Sequence, residues 1–177
     1  MRSIEILVLC FGFFFFLNAQ EKETETVRKA PDFKLENIDG KYVELSKEIG
    51  SGPILISFWA TWCKPCIEEL SQYKSIFKEY GSNGVKVIAI STDNEKTTAK
   101  VRPLVKSKGF PFTVLLDPNS EVARKFYVPS VPYVVILDKL GNIAYTHLGY
   151  MKGDEIKVRE KLDELLTQNV EHPKSTL

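Results

Sequence analysis

Ile54-Leu55-Ile56-Ser57-Phe58-Trp59-Ala60-Thr61-Trp62-Cys63-Lys64-Pro65-Cys66 is the most informative segment of this chain. Its first six residues are almost continuously apolar, which is typical of a central strand that is buried on both faces of a sheet. The two cysteines follow where that strand ends and a helix begins, and Pro65 fits the first helical turn because no amide hydrogen is needed there. The segment therefore predicts a redox-active cysteine pair at a strand-to-helix junction.

The residues after the cysteines predict a helix and a second buried strand. Apolar side chains recur at steps of four, three, four and three, which places them on one helical stripe: Cys66, Leu70, Tyr73, Phe77 and Tyr80. Gly81 and Gly84 end this helix, and residues 85–90 are again mostly apolar. A β-α-β crossover around the cysteines follows from this order.

The flanking segments complete an α/β fold with a mixed central sheet and helices on both faces. Residues 33–35 and 42–45 predict an N-terminal β-hairpin around the Asp39-Gly40 turn. Five further elements are expected along the chain: a helix within 95–108 that Pro103 starts, kinks or divides, a short strand at 112–116, a short helix at 122–126, and strands at 133–137 and 143–148 that pair antiparallel. Asp154 is expected to cap the last helix.

The N-terminus has the pattern of an export signal. Arg2 precedes an apolar run at residues 6–17, which is shorter than the roughly 20 residues that a membrane-spanning helix needs. We predict a signal peptide at 1–19 cleaved after Ala19, a linker at 20–29, a single domain at 30–168 and a disordered tail at 169–177. An uncleaved membrane anchor remains the alternative, and either form predicts an exported protein.

Composition limits the classes of partner. The 177 residues contain 44% apolar and 27% charged residues, a globular balance for one domain. With 24 basic and 23 acidic side chains and a formal charge of +1, the chain lacks the strong field that would attract nucleic acid. We expect a monomer without nucleic-acid partners. Cys10 would leave with the signal peptide, so the exported protein would keep only Cys63 and Cys66.

The two cysteines are predicted to have different roles in a Cys63–Cys66 disulfide couple. Cys63 lies near the unpaired amides and positive dipole end of the helix, which favour its thiolate, so it would attack. Cys66 lies on the apolar stripe and would resolve a mixed disulfide. Glu69, three residues later on the same side, either accepts the Cys66 proton or is an ordinary solvated residue. Zinc normally needs four ligands, and only His147 and His172 could supply imidazoles beside the two cysteines, so we predict no metal. We expect no cofactor.

Together, several motifs resemble the TlpA/ResA-like branch of the thioredoxin superfamily, which is related to the AhpC/TSA and redoxin proteins. They are Ala30-Pro31-Asp32-Phe33, the Phe58 to Cys66 segment, Glu69, Val131-Pro132 and Gly141. The resemblance covers residues 30–166. It implies the thioredoxin fold with an N-terminal hairpin and an inserted helix and strand at about 94–116.

The resemblance also implies roles for individual residues. Pro132 would be the family's cis-proline beside the cysteines, and the Val131 main chain would pair with a bound peptide. Glu69 matches the active-site glutamate of this branch, whereas Ser57 stands where ordinary thioredoxins have a buried aspartate. Trp62, beside the reactive sulfur, is a further candidate for substrate contact.

The resemblance implies a periplasmic protein, or one anchored in the membrane and facing the periplasm. The implied function is extracytoplasmic reduction of protein or peptide disulfides, such as those of apocytochromes c. A membrane thiol reductase would supply the electrons. Two alternatives stay open from the sequence. One is a peroxiredoxin-like thiol peroxidase, although Ala60 occupies the place where those enzymes usually carry threonine and Thr61 lies one residue too late. The other is a module that binds peptides without turnover.

Overall fold

The structure is a computed structural model that describes residues 28–168. The predicted signal peptide at 1–19, most of the predicted linker and the predicted tail at 169–177 lie outside these residues. Arg28 and Lys29, at the end of the predicted linker, are attached to the domain. The Ile143 amide donates to the Arg28 carbonyl over 2.8 Å, and Lys29 forms an isolated antiparallel bridge with Asn142. None of the helices within 28–168 has the length and apolar character to cross a membrane.

Residues 28–168 form seven strands and five α-helices. The strands are β1 (Lys34–Asn37), β2 (Tyr42–Glu44), β3 (Ile54–Trp59), β4 (Lys86–Ser91), β5 (Thr113–Leu116), β6 (Tyr133–Leu137) and β7 (Ile143–Leu148). The helices are α1 (Leu45–Glu48), α2 (Lys64–Tyr80), α3 (Val101–Lys108), α4 (Glu121–Lys125) and α5 (Asp154–Gln168).

All seven strands form one mixed sheet in the order β2-β1-β5-β4-β3-β6-β7. The pairs β3–β4 and β4–β5 are parallel, and the remaining pairs are antiparallel. The predicted hairpin is β1–β2, and the inserted segment supplies α3 and β5. Because β5 lies between β1 and β4, the insertion joins the hairpin to the central strands. The predicted α/β fold with a mixed sheet is confirmed.

Strand β3 divides the core into two layers, as its continuous apolar sequence predicts. Leu55 and Trp59 face the layer covered by α2, α3 and α5. Ile54, Ile56 and Phe58 face the opposite layer, which contains residues of α1 and α4. Every residue of β3 is buried. The strand that leads into the cysteines is therefore fixed from both sides.

The inserted helix lies within the predicted range 95–108. It begins at Val101, because the Thr97 and Thr98 amides both donate to the Asn94 carbonyl in a turn that precedes a short 3-10 segment. Pro103 therefore lies in the first turn of α3, where its missing amide hydrogen leaves no helical bond unmade.

The start of α5 differs from the sequence prediction. Asp154 is the first residue of α5, and its carboxylate accepts a hydrogen bond from the Met151 amide over 2.8 Å. The same carboxylate contacts His147 Nε2 at 3.3 Å. The side chain therefore closes the preceding turn, and the prediction that it caps the helix is wrong.

Candidate active site

The cysteine pair lies at the N-terminus of α2, where β3 delivers it. Cys63 is the N-cap of the helix, and its Sγ accepts a hydrogen bond from the Cys66 amide over 3.3 Å. The two sulfurs are joined in a disulfide, so the structure describes the oxidised form. Cys63 is 5% exposed and Cys66 is fully buried. The difference is small, but it has the direction that the predicted division of roles requires.

Glu69 lies on the buried side of α2 with Cys66. Only 1% of it is exposed, and its Oε2 accepts a hydrogen bond from the Ser57 hydroxyl over 2.8 Å. Burial raises the pKa of Glu69 from its ordinary value of 4.5 to about 7, against the opposing effect of the Ser57 and Tyr73 hydroxyls. Glu69 is thus no solvated surface residue, and near neutral pH it can hold or release a proton.

Ser57 has a role here that the sequence analysis missed. Residues of β3 alternate between the two faces of the sheet, so Ser57 points to the α2 side, where it meets Glu69. The resemblance implies only that Ser57 stands where ordinary thioredoxins have a buried aspartate, so the sequence indicates the loss of a base. The structure shows a hydrogen-bond donor that favours the ionised Glu69. In this site the buried carboxyl lies on α2, and its hydrogen-bond donor lies on β3.

The remaining predicted site residues lie in two segments. Trp62, immediately before Cys63, is 66% exposed. The Val131–Pro132 peptide bond is cis, as the resemblance implied. Pro132 is buried, and its carbonyl accepts a hydrogen bond from the Gly149 amide over 2.9 Å. The hydrogen-bonded register of β6 with β3 starts at Tyr133, one residue after this bond.

A second buried carboxylate, that of Asp93, was not predicted from the sequence. Asp93 lies two residues beyond β4 and accepts hydrogen bonds from the Thr61 amide and hydroxyl at 2.8 and 2.6 Å. Parallel strands bring their carboxyl ends to the same edge of a sheet. The acidic residue that follows β4 could therefore have been placed near the loop that follows β3. Within 28–168, no group of three or more His, Cys, Asp or Glu side chains could hold a metal ion.

Comparison with known proteins agrees with this architecture. The AhpC/TSA family profile matches residues 26–146, which is more than half of the chain. The chain belongs to the AhpC/TSA family. Within this family it is similar to the thiol-disulfide oxidoreductase ResA of Bacillus thuringiensis subsp. konkukian, with 31% identity over 93% of this chain and 92% of the relative.

Two solved structures have folds similar to that of this family member. A thiol:disulfide interchange protein DsbE, described as putative, from Chlorobium tepidum has a TM-score of 0.73 and 27% identity, over 79% of this chain and 96% of that one. The exposed lipoprotein thioredoxin Etrx1 from Streptococcus pneumoniae has a TM-score of 0.64 and 31% identity, over 76% and 99%. The protein is accordingly a thiol-disulfide oxidoreductase of the thioredoxin superfamily, and its relatives imply protein disulfides as substrates.

Proposed function

We propose that the protein reduces disulfides in exported proteins, apocytochromes c among them, outside the cytoplasm. The observation that carries this proposal is the buried Glu69 carboxyl on the Cys66 side of α2. Reduction of a substrate through two cysteines requires that the buried Cys66 lose its proton, and a carboxyl with a pKa of about 7 is a suitable acceptor near neutral pH.

The reaction has two steps. The Cys63 thiolate attacks one sulfur of the substrate disulfide, forms a mixed disulfide and releases the other substrate sulfur as a thiolate. Cys66 then gives its proton to Glu69, and its thiolate attacks Cys63, which releases the second substrate thiolate. Two electrons pass to the substrate, and the Cys63–Cys66 disulfide remains. A membrane thiol reductase would return two electrons to this disulfide.

Exposed and main-chain groups near the cysteines would hold the substrate. Trp62 offers an exposed aromatic surface next to Cys63. The Val131 main chain, beside the cis bond to Pro132, would pair with an extended peptide. The apolar run at residues 6–17 supports an extracytoplasmic location, as does the similarity to the exposed lipoprotein of Streptococcus pneumoniae.

The thiol peroxidase alternative loses support from one contact. Peroxiredoxins usually carry a threonine three residues before the reactive cysteine, where this chain has Ala60. Thr61 donates its hydroxyl to Asp93 over 2.6 Å, so this group is already bound to the protein. Similarity to thiol-disulfide oxidoreductases also favours turnover over passive peptide binding.

The first test is the reduction potential of the Cys63–Cys66 couple, measured on the chain that starts at Gln20 by equilibration with dithiothreitol or glutathione. We expect a value near the thioredoxin end, about −270 mV or slightly higher. A value near about −120 mV would identify an oxidant of folding proteins and overturn the proposed direction.

A trapping experiment tests the roles of the two cysteines. The Cys66→Ser variant is mixed with an oxidised peptide that contains the Cys-x-x-Cys-His haem-attachment sequence. We expect a stable mixed disulfide through Cys63, detected by mass spectrometry. The matched Cys63→Ser variant should form at least tenfold less mixed disulfide with the peptide. Equal trapping by both variants would contradict the assignment of Cys63 as the attacking group.

A further inference from the structure

Asp93 has a buried carboxylate that takes no part in the two steps of disulfide exchange, which use Cys63, Cys66 and Glu69. It is 1% exposed, and both of its oxygens accept hydrogen bonds. Oδ2 accepts from the Thr61 amide and the Ser91 hydroxyl, both over 2.8 Å, and Oδ1 accepts from the Thr61 hydroxyl over 2.6 Å. An ionised carboxylate is costly to bury unless such bonds satisfy it. The buried Asp93 carboxylate is therefore held by hydrogen bonds, and two of them come from Thr61 in the loop before Cys63.

This loop determines where the Cys63 sulfur lies. It connects β3 to α2 through a short turn that contains Thr61. The Cys63 amide donates to the Ala60 carbonyl over 3.1 Å, so the turn closes directly around Thr61. At the far side of this turn, Cys63 Sγ meets the Cys66 amide at 3.3 Å. Any shift of the loop would therefore move the sulfur relative to the helix N-terminus.

We propose that Asp93 is a positioning residue of the redox site, which acts through Thr61 to hold the Cys63 sulfur at the N-terminus of α2. Aspartate suits this role because its two oxygens satisfy three donors at once, and charge-assisted hydrogen bonds are roughly twice as strong as neutral ones. The thiolate is stabilised by helix amides and the helix dipole, and both effects decrease sharply with distance.

The inference goes beyond the proposed function and does not depend on it. Thiolate stabilisation at Cys63 affects the Cys63–Cys66 couple whether the protein reduces or oxidises its substrates. It also affects alkylation of the reduced protein, which needs no natural substrate. If the protein proves not to reduce exported disulfides, the same measurements still test the role of Asp93.

The direct test replaces the Thr61 hydroxyl. Thr61→Val removes the 2.6 Å hydrogen bond and leaves the charge of Asp93 in place. We expect the pKa of Cys63 to rise and iodoacetamide alkylation at pH 6 to slow about threefold to tenfold, since one hydrogen bond contributes about 1 kcal/mol. The potential should become more negative by about 14 to 30 mV, because the reduced form loses thiolate stabilisation. Thr61→Ser, which keeps a hydroxyl, should restore both values.

Asp93→Ala separates positioning from a direct effect of charge. Loss of a nearby negative charge would by itself lower the pKa of Cys63. Loss of positioning raises it, so we expect a raised pKa and alkylation at least as slow as in Thr61→Val. Because this variant removes three hydrogen bonds and can fail to fold, the Thr61 variants provide the decisive measurement.

Thr98→Val is the matched control. The Thr98 hydroxyl donates to the main-chain carbonyl of Asp93 over 2.8 Å and does not touch the carboxylate. The alkylation rate of the Thr98→Val variant should stay within about twofold of the wild-type rate, and its reduction potential within about 10 mV. The proposal is overturned if Thr61→Val lowers the melting temperature without moving the pKa or potential of the couple, if Thr98→Val moves them equally, or if Asp93→Ala lowers the pKa of Cys63.

Discussion

At the scale of single residues, Glu69 couples the chemistry of the site to the stability of the fold. Burial raises its pKa from 4.5 to about 7. The unfolded chain therefore loses this proton near pH 4.5, while the folded protein keeps it until about pH 7. The resulting stabilisation is fully present below pH 4.5 and disappears as the pH rises through 7. Its size is roughly 3 kcal/mol for this difference in pKa.

Glu69→Gln should remove this dependence, because the amide resembles the protonated acid at every pH. We expect the variant to unfold with nearly the wild-type free energy at pH 5. At pH 8 we expect it to be more stable than the wild-type protein, by up to about 3 kcal/mol. Urea unfolding of the oxidised proteins at the two pH values measures the difference.

Glu68→Gln is the control for this comparison, since Glu68 precedes Glu69 on α2 but is exposed. Its unfolding free energy should follow the wild-type protein within about 0.5 kcal/mol at both pH values. If Glu69→Gln is destabilised equally at pH 5 and pH 8, the raised pKa of Glu69 is contradicted. A gain in stability together with slower turnover would indicate that the buried acid is retained for function.

At the scale of elements, the end of α2 returns the chain to the sheet through two glycines with different surroundings. Gly84 has φ +85°, and a Cβ atom built there would lie 2.5 Å from the Ser51 carbonyl oxygen. Gly81 has φ −59°, and a Cβ atom there would meet nothing within 4 Å. The two glycines of one turn therefore differ in how much they constrain the chain.

Gly84→Ala should destabilise the protein by about 2 kcal/mol or more, because a left-handed backbone costs about 1–2 kcal/mol for alanine and the main chain of Ser51 cannot move away freely. Gly81→Ala should be neutral or stabilising by up to about 1 kcal/mol, since it only restricts the unfolded chain. Thermal unfolding of both variants measures this contrast. Equal losses would mean that the close approach of Ser51 and Gly84 is relaxed in solution.

The elements also differ in how far they can be predicted from the sequence. Strand β3 and helix α2 could be predicted because their apolar periods are long and regular. The start of α3 could not, because the Asn94 turn competes with the helix through local hydrogen bonds. Glu69 could be placed beside Cys66 from spacing alone. The contact of Ser57 with Glu69 joins a strand to a helix, and that of Asp93 with Thr61 joins the ends of two strands, so both depend on how these elements pack.

At the scale of the whole molecule, charge is balanced. The full chain carries 24 basic and 23 acidic side chains, and loss of residues 1–19 removes one of each, Arg2 and Glu5, so the net charge stays +1. Both signs occur along the described surface in ion pairs such as Lys34–Glu44, Arg102–Asp39 and Lys86–Glu48. Exposed pairs of this kind contribute little to stability, but they cancel each other's field at a distance.

Recognition of substrates should therefore depend little on their charge. Electrostatically steered association is accelerated roughly 10-fold to 1,000-fold and decreases steeply with ionic strength. We expect kcat/KM for disulfide peptides to change less than about threefold between about 50 and 500 mM salt, where the Debye length falls from about 14 to 4 Å. Two peptides with the same apolar centre and either lysine or glutamate flanks should react within about threefold of each other. A tenfold preference that salt abolishes would instead locate a charged docking surface near Trp62, and exchange of Lys64 or Glu68 for glutamine would identify its source.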